Sequence, residues 1–166
     1  MIHSFAPVIP PSPKVLVLGS IPGVKSLEQQ QYYAHPQNQF WRLMAAVLNR
    51  PEAPSCYADR LAMLAEGGIA LWDVLAQCER QGSLDSAIRD EQVNDIPSLL
   101  ASAPSICAVA LNGRKAESSF KRHIGHDVPN IQVLPLPSSS AANARLRFDD
   151  KAAHWCRQLQ PCLDYA

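Results

Sequence analysis

"KVLVLGS", residues Lys14–Ser20, sets valine and leucine side by side with no polar break before it stops at glycine and serine. A strand with one wet face alternates apolar and polar residues. An unbroken apolar run of this length instead fits a strand covered on both faces, as in a parallel sheet. Three later runs read the same way: "IALWDVL" (Ile69–Leu75), "ICAVALN" (Ile106–Asn112) and "IQVLPLP" (Ile131–Pro137). Helical patterns lie between them. "NQFWRLMAAVLNR" (Asn38–Arg50) places Trp41, Met44, Ala45 and Leu48 at helical spacing, with Asn38 available as a cap. "SCYADRLAMLAEGG" (Ser55–Gly68) closes on glycines, and "NDIPSLLASAP" (Asn94–Pro104) offers Asn94 or Asp95 as its cap. "GRKAESSFKRHI" and the terminal "FDDKAAHWCRQLQPCL" complete the set. Strands alternating with helices predict an α/β fold, a three-layer α/β/α sandwich around a four-stranded, mainly parallel sheet. The proline-rich residues 1–13 read as an irregular lead-in and 14–166 as one domain. The polar stretch from about Ala76 to Val93 carries no clear pattern.

The bulk numbers narrow the function classes. The chain has 166 residues, 47% hydrophobic and 18% charged, which suits a packed domain and not a disordered one. Fifteen basic and fifteen acidic residues cancel, so no global field draws in nucleic acid, and a polyanion must be held by a local site. No apolar run approaches the ~20 residues of a membrane span, and no signal peptide is evident. The expected compartment is the cytoplasm, with no membrane partner. Five scattered cysteines without a C-x-x-C pair read as reduced core thiols, not as a metal centre.

Sites in parallel α/β sheets form where strands end at their carboxyl side. Two strand exits stand out here. The first is "GSIPGVKSLEQQQYYAHPQN", in which Gly19 and Gly23 permit a sharp turn and close approach to a ligand. It contains neither G-x-G-x-x-G nor G-K-[ST], so dinucleotide and P-loop readings fail. Tyr32 and Tyr33 read as an exposed pair whose flat faces can stack a planar ring, worth ~1–3 kcal/mol per base. Asn38 can read a base edge, having an amide to donate and a carbonyl to accept, and can also cap the next helix. His35 reads as packed or as a polarising group, while Phe40 and Trp41 should enter the core. The second exit is "LPLPSSSAANAR". Ser138, Ser139 and Ser140, free backbone N–H groups through Asn143, and Arg145 with Arg147 behind them make an inventory for gripping a DNA backbone phosphate. Lys115, Lys121, Arg122 and His123 read as a solvated basic face.

These two stretches, with "LWDVL", "SLDSAIRD" and "LNGRKA", resemble the hypoxanthine-DNA glycosylase branch of the uracil-DNA glycosylase superfamily. The resemblance runs from Lys14 over most of the chain. It implies a monofunctional DNA repair enzyme that excises hypoxanthine, with uracil and xanthine as further candidate bases, from DNA; a monomer is expected. It implies no metal and no organic cofactor. Asn38, the asparagine of an H-P-x-N element, becomes the expected catalytic residue. Gly19, Ser20, Ile21, Tyr33 and His35 become the expected base pocket, with Tyr33 as stacking platform. The chain departs from mismatch-specific relatives at Ile21, where G-x-N-P-G carries an asparagine that positions water, and from classical uracil glycosylases in its all Ser/Ala second motif. Two other readings compete: a non-catalytic nucleotide- or nucleic-acid-binding domain of the same fold, and a small hydrolase using Asp73 at a strand end as acid or base.

Overall fold

All five residues of the Val15–Gly19 strand are buried, and their side chains divide alternately between two apolar clusters. Val15 and Val17 join one cluster, Leu16 and Leu18 the other, as the two-residue period of a strand requires. The computed structural model describes residues 1–125, 127–142 and 145–163. In chain order it runs β1 (Ile2–His3), β2 (Val15–Gly19), α1 (Val24–Gln29), α2 (Phe40–Val47) and α3 (Tyr57–Gly67). Then come β3 (Ile69–Asp73), β4 (Leu75–Glu79), a 3₁₀ turn at Asp85–Ala87, β5 (Arg89–Val93) and α4 (Ile96–Ser102). β6 (Ala108–Asn112), α5 (Arg114–His123), β7 (Gln132–Leu136), α6 (Phe148–Leu159) and a closing 3₁₀ turn complete it.

β3, β2, β6 and β7 form, in that order, a wholly parallel sheet, with Val15 level with Ile69 and Ala108, and Ala108 level with Gln132. On one face the first cluster gathers Phe40, Leu43 and Met44 of α2, Met63 and Leu64 of α3, and Trp155 and Leu159 of α6. On the other, Ile96 and Leu99 of α4 and Ala116 and Phe120 of α5 join the second cluster. The three-layer α/β/α architecture is therefore present with its four-stranded parallel sheet. Among the described residues, no helix is long and apolar enough to cross a membrane.

Three expectations need correction. The Ile69–Leu75 run is not one strand: β3 ends at Asp73, and Val74 and Leu75 donate back to the Gly19 and Ser20 carbonyls as the chain leaves for a second sheet. That second sheet, β1-β4-β5, is antiparallel and occupies the stretch read as patternless. Its β5, "RDEQV", is mostly exposed and carries no alternation to read. The lead-in is also not wholly irregular. Ile2–His3 pairs with β4, and Val8 exchanges two backbone hydrogen bonds of 2.9 Å with Leu71, covering the open edge of β3. Asp95, not Asn94, caps α4 by accepting from the Ser98 amide. The basic face of α5 is partly neutralised, since Lys115 and His123 both pair with Glu91.

Phe40 ties the site-bearing loop to the core. It is fully buried, stacked on Tyr33 at 3.9 Å between ring centroids, and edge-on to Trp41 and Trp155. Phe40→Ala should cost about 3–5 kcal/mol, the usual range for emptying so much core volume. Urea unfolding measures it, and a loss below about 1 kcal/mol would show that the ring cluster is not a structural anchor.

Candidate functional site

The exits of β2 and β7 are separated by β6 in the sheet, yet their loops meet above its end. The residue that joins them is Asn112, the last of β6. Its Nδ2 donates to the Tyr33 hydroxyl at 3.2 Å and to Ser139 Oγ at 2.9 Å, and its Oδ1 accepts from the Ser139 amide at 2.9 Å. A buried amide with all these partners holds one arrangement only. Gly113 makes this possible. Its φ of +95° suits glycine, and a Cβ there would lie 3.0 Å from Ser138 Cβ. Two further bonds fix the same loop: Gln39 N donates to the Ser139 carbonyl at 2.9 Å, and the buried Lys151 donates to Gln39 Oε1 at 2.8 Å.

A cavity of about 360 Å³ opens between the loops. Gly19, Ser20 and Ile21 line it from the β2 exit, Tyr33, His35 and Asn38 from the stretch beyond α1, and Ser138 to Ser140 from the β7 exit. Arg145 is exposed and outside its lining, and Asn143 lies outside the described residues.

The geometry refines several roles. Tyr32 is buried, not exposed: its hydroxyl donates to the Ala6 carbonyl and its ring meets Phe5 edge-on. Tyr33 has φ +53° and keeps one ring face against Phe40, so it can offer one face at most to a ligand. Burial and then the Asp73 charge push the Tyr33 phenol above its ordinary range, and the hydroxyl stays neutral. Ser139 cannot present its hydroxyl to a phosphate, being buried against Asn112. Ser138 Oγ accepts from the Ser140 amide and Ser140 Oγ from the Ala142 amide, so these hydroxyls shape the loop. His35 is exposed and its Nδ1 accepts from the Gln37 amide. Ile21 is buried in the second apolar cluster and forms apolar wall. Asn38 is half-buried, and its Oδ1 accepts from the Phe40 amide at 2.9 Å, which leaves Nδ2 as the group to meet a ligand.

The β4–β5 connection and the end of β3 bring further groups to the site. Asp85, on the 3₁₀ turn, accepts from Ser20 Oγ at 2.7 Å, and Ser83 accepts from the Val24 amide at 2.8 Å. Arg80 donates to the Pro22 carbonyl at 2.7 Å. These bonds clamp the β4–β5 connection over the glycine-containing turn. Asp73, at the end of β3, is 3% exposed, and its Oδ2 has no hydrogen-bond partner. Desolvation and then the Asp85 charge, opposed by Arg80, push its carboxyl up to about 7. Gly19 must lack a side chain here: a Cβ would fall 2.7 Å from Asp73 Oδ1 and 2.9 Å from the Tyr33 hydroxyl. Asp73 and Asn112 share one readable signal, a polar residue closing a buried parallel strand.

A pocket at the carboxyl ends of a parallel sheet, with an H-P-x-N amide on one side and a serine loop on the other, invites comparison with known proteins. The sequence profile of the uracil DNA glycosylase superfamily matches residues 6–160. The chain belongs to that superfamily. It is 37% identical over 145 residues to proteins named hypoxanthine DNA glycosylase from Methanosarcina barkeri and Methanosarcina acetivorans, covering 86% of this chain and 89% of each relative. A solution NMR structure of a candidate uracil DNA glycosylase from Methanosarcina acetivorans superposes with a TM-score of 0.80 at 34% identity. That match covers 98% of this chain and 99% of the other.

Asn112→Ala should loosen the second loop without unfolding the sheet, since it strips partners from a buried amide and a buried hydroxyl. The expected cost is about 1–3 kcal/mol for each buried group left unpaired. Native-state hydrogen exchange should show the Ser139 amide exchanging at least ~10-fold faster. Unchanged protection would mean that the loop is held by other contacts.

Proposed function

We propose that this chain is a monofunctional DNA glycosylase that hydrolyses the N-glycosidic bond of deaminated bases, hypoxanthine foremost, with Asn38 as the group that acts on the departing base. The observation that carries this reading is the single-sided commitment of the Asn38 amide. With Oδ1 held by the Phe40 amide, its remaining capacity is mainly that of a donor directed at whatever fills the cavity. A glycosylase takes its target nucleotide out of the stack and into a pocket. The sugar then becomes oxocarbenium-like while the base gathers negative charge. A fixed donor aimed at that charge lowers the barrier without a strong base. The role of Asn38 is thus to receive the leaving base more than to hold the attacking water.

The supporting parts follow from the same geometry. One face of Tyr33 and the side chain of Ile21 give a base flat and apolar contact. The absent Cβ of Gly19 makes room for the Asp73 carboxyl and the Tyr33 hydroxyl beside the cavity. The Ser138–Ser140 loop lines the opposite wall of the cavity, where Ser140 Oγ, which accepts from the Ala142 amide, keeps its O–H donor for a phosphate beside the flipped nucleotide. The relatives named hypoxanthine DNA glycosylase support the choice of base. A monomer in the cytoplasm accords with the neutral chain.

Asn38→Ala should slow single-turnover excision from a deoxyinosine duplex by ~10²-fold or more while changing duplex affinity little. Equal losses in binding and turnover would make Asn38 a helix-start residue only. Strand cleavage is not expected. Lys25 lines the cavity, but its Nζ is paired as a charged, non-nucleophilic ammonium with Glu28 at 3.5 Å. Reduction with borohydride during turnover should trap no protein–DNA adduct, and a trapped adduct would sink the monofunctional assignment.

A further inference from the structure

We propose that Asp73 is the general acid of this site: its carboxyl gives a proton to an unsubstituted ring nitrogen of a flipped purine as the glycosidic bond breaks. This rests on the glycosylase reading above and adds to it the reason why a purine is taken.

The argument begins with an oxygen that has no partner. Asp73 is buried at the end of β3 and lines the cavity, and its enclosed Oδ2 has no hydrogen bond among the described residues, so burial of the carboxyl is not offset there. Burying an ionised carboxylate without a partner is costly, and the group neutralises instead. The charged groups that face it pull in opposite directions, and burial is the larger effect. Asp85, from the 3₁₀ turn, opposes its ionisation; Arg80, just after β4, favours it; Tyr32 and Tyr33, from the loop beyond α1, are neutral phenols. His35 and Lys25 are the remaining titratable groups on the cavity wall. The balance places the carboxyl at about 7, poised to hold a proton and release it near neutral pH.

A neutral carboxylic acid is a donor, and purines and uracil differ in what they offer one. Hypoxanthine attached through N9 still has free ring nitrogens with lone pairs. Uracil attached through N1 has none, for its other ring nitrogen carries a hydrogen and only carbonyl oxygens accept. A proton given to a ring nitrogen lets the purine leave neutral. The electron pair of the C1′–N9 bond passes into the purine, and the proton of Asp73 goes to the ring nitrogen. Water adds to C1′, and the proton it sheds restores the acid. No external reagent is consumed. Asn38 and Asp73 then divide the work, the first as a fixed hydrogen-bond donor and the second as the donor that lets go.

Asp73→Asn keeps the shape and removes the transferable proton. Single-turnover excision from deoxyinosine duplex should be followed from about pH 5.5 to about 8.5. Wild type should slow as pH rises through about 7, where the acid is lost. The variant should be slower by ~10²-fold or more at the low end and should show no such decline. Its affinity for the duplex should stay within about threefold of wild type and its circular dichroism should be unchanged. Deoxyinosine analogues with carbon in place of N7 or of N3 supply the chemical arm. One of them should be penalised in wild type and far less so in Asp73→Asn, the coupling expected if acid and nitrogen act as a pair. A variant with wild-type rate and pH profile, loss of binding in step with excision, or equal penalties for the analogues in both proteins would overturn the role of Asp73 alone. Wild-type protein that releases hypoxanthine at no pH would overturn the glycosylase reading and this assignment with it.

Discussion

The arrangement depends on one buried amide. Asn112 is the last residue of a fully buried strand, and it spends its donors on Tyr33 and Ser139 and its carbonyl on the Ser139 amide. Through Ser139 the order spreads to Gln39 and through Gln39 to Lys151 on α6. Asn38 sits one residue before Gln39, so the position of the Asn38 amide is fixed from both directions. A hydrophobic residue at 112 would fill the space, yet it would leave a backbone N–H, a hydroxyl and a phenol without partners. The sheet does not need this asparagine for its own packing. The two loops do.

The polar groups of the site fall into two classes, and the difference is functional. Asn112, Ser20, Ser83, Ser138, Ser139 and Ser140 bond within the protein and hold the loops in shape. Asn38 Nδ2 and Asp73 Oδ2 are left over. Pre-organised groups with capacity to spare are what a transition state can use, because no internal bond must break first. The left-handed backbone at Tyr33 belongs to the same economy. A bulky residue adopts φ near +53° only where the surroundings enforce it, and here Phe40 and Asn112 do so.

The parallel sheet was legible because burial on both faces writes an unbroken apolar run, and its four members were found at close to their true bounds. The hairpin of β4 and β5 was not, since its exposed polar residues carry no period. Gly19, Ser20, Ile21, Tyr33, His35 and Asn38 were readable as one group because they lie in one stretch of chain between β2 and α2. Their company with Asp73, Asp85 and Asn112 was not, because it is made by the register of β2 with β3 and β6. The serines show a further limit. Hydroxyls before a helix suggest phosphate binding on composition alone, but composition cannot show that Ser139 is buried against Asn112 while Ser138 and Ser140 accept from loop amides, Ser140 keeping its own O–H donor.

Ile21 now reads as part of the chemistry and not as a defect. Mismatch-specific relatives place an asparagine there to position water, and its loss suggests an impaired enzyme. In this structure Ile21 is buried in the apolar cluster beneath the cavity, close in sequence to Gly19, against which Asp73 packs. An amide at that point would give water a foothold in the cavity wall, and water would favour the ionised carboxylate. An isoleucine gives none. It keeps the wall dry, and a dry wall is what holds a carboxylic acid neutral at a pH where an exposed one has long since ionised. The departure from the relatives and the unpartnered oxygen of Asp73 are then two sides of one environment, in which the site gives up a means of holding water and gains a proton to donate.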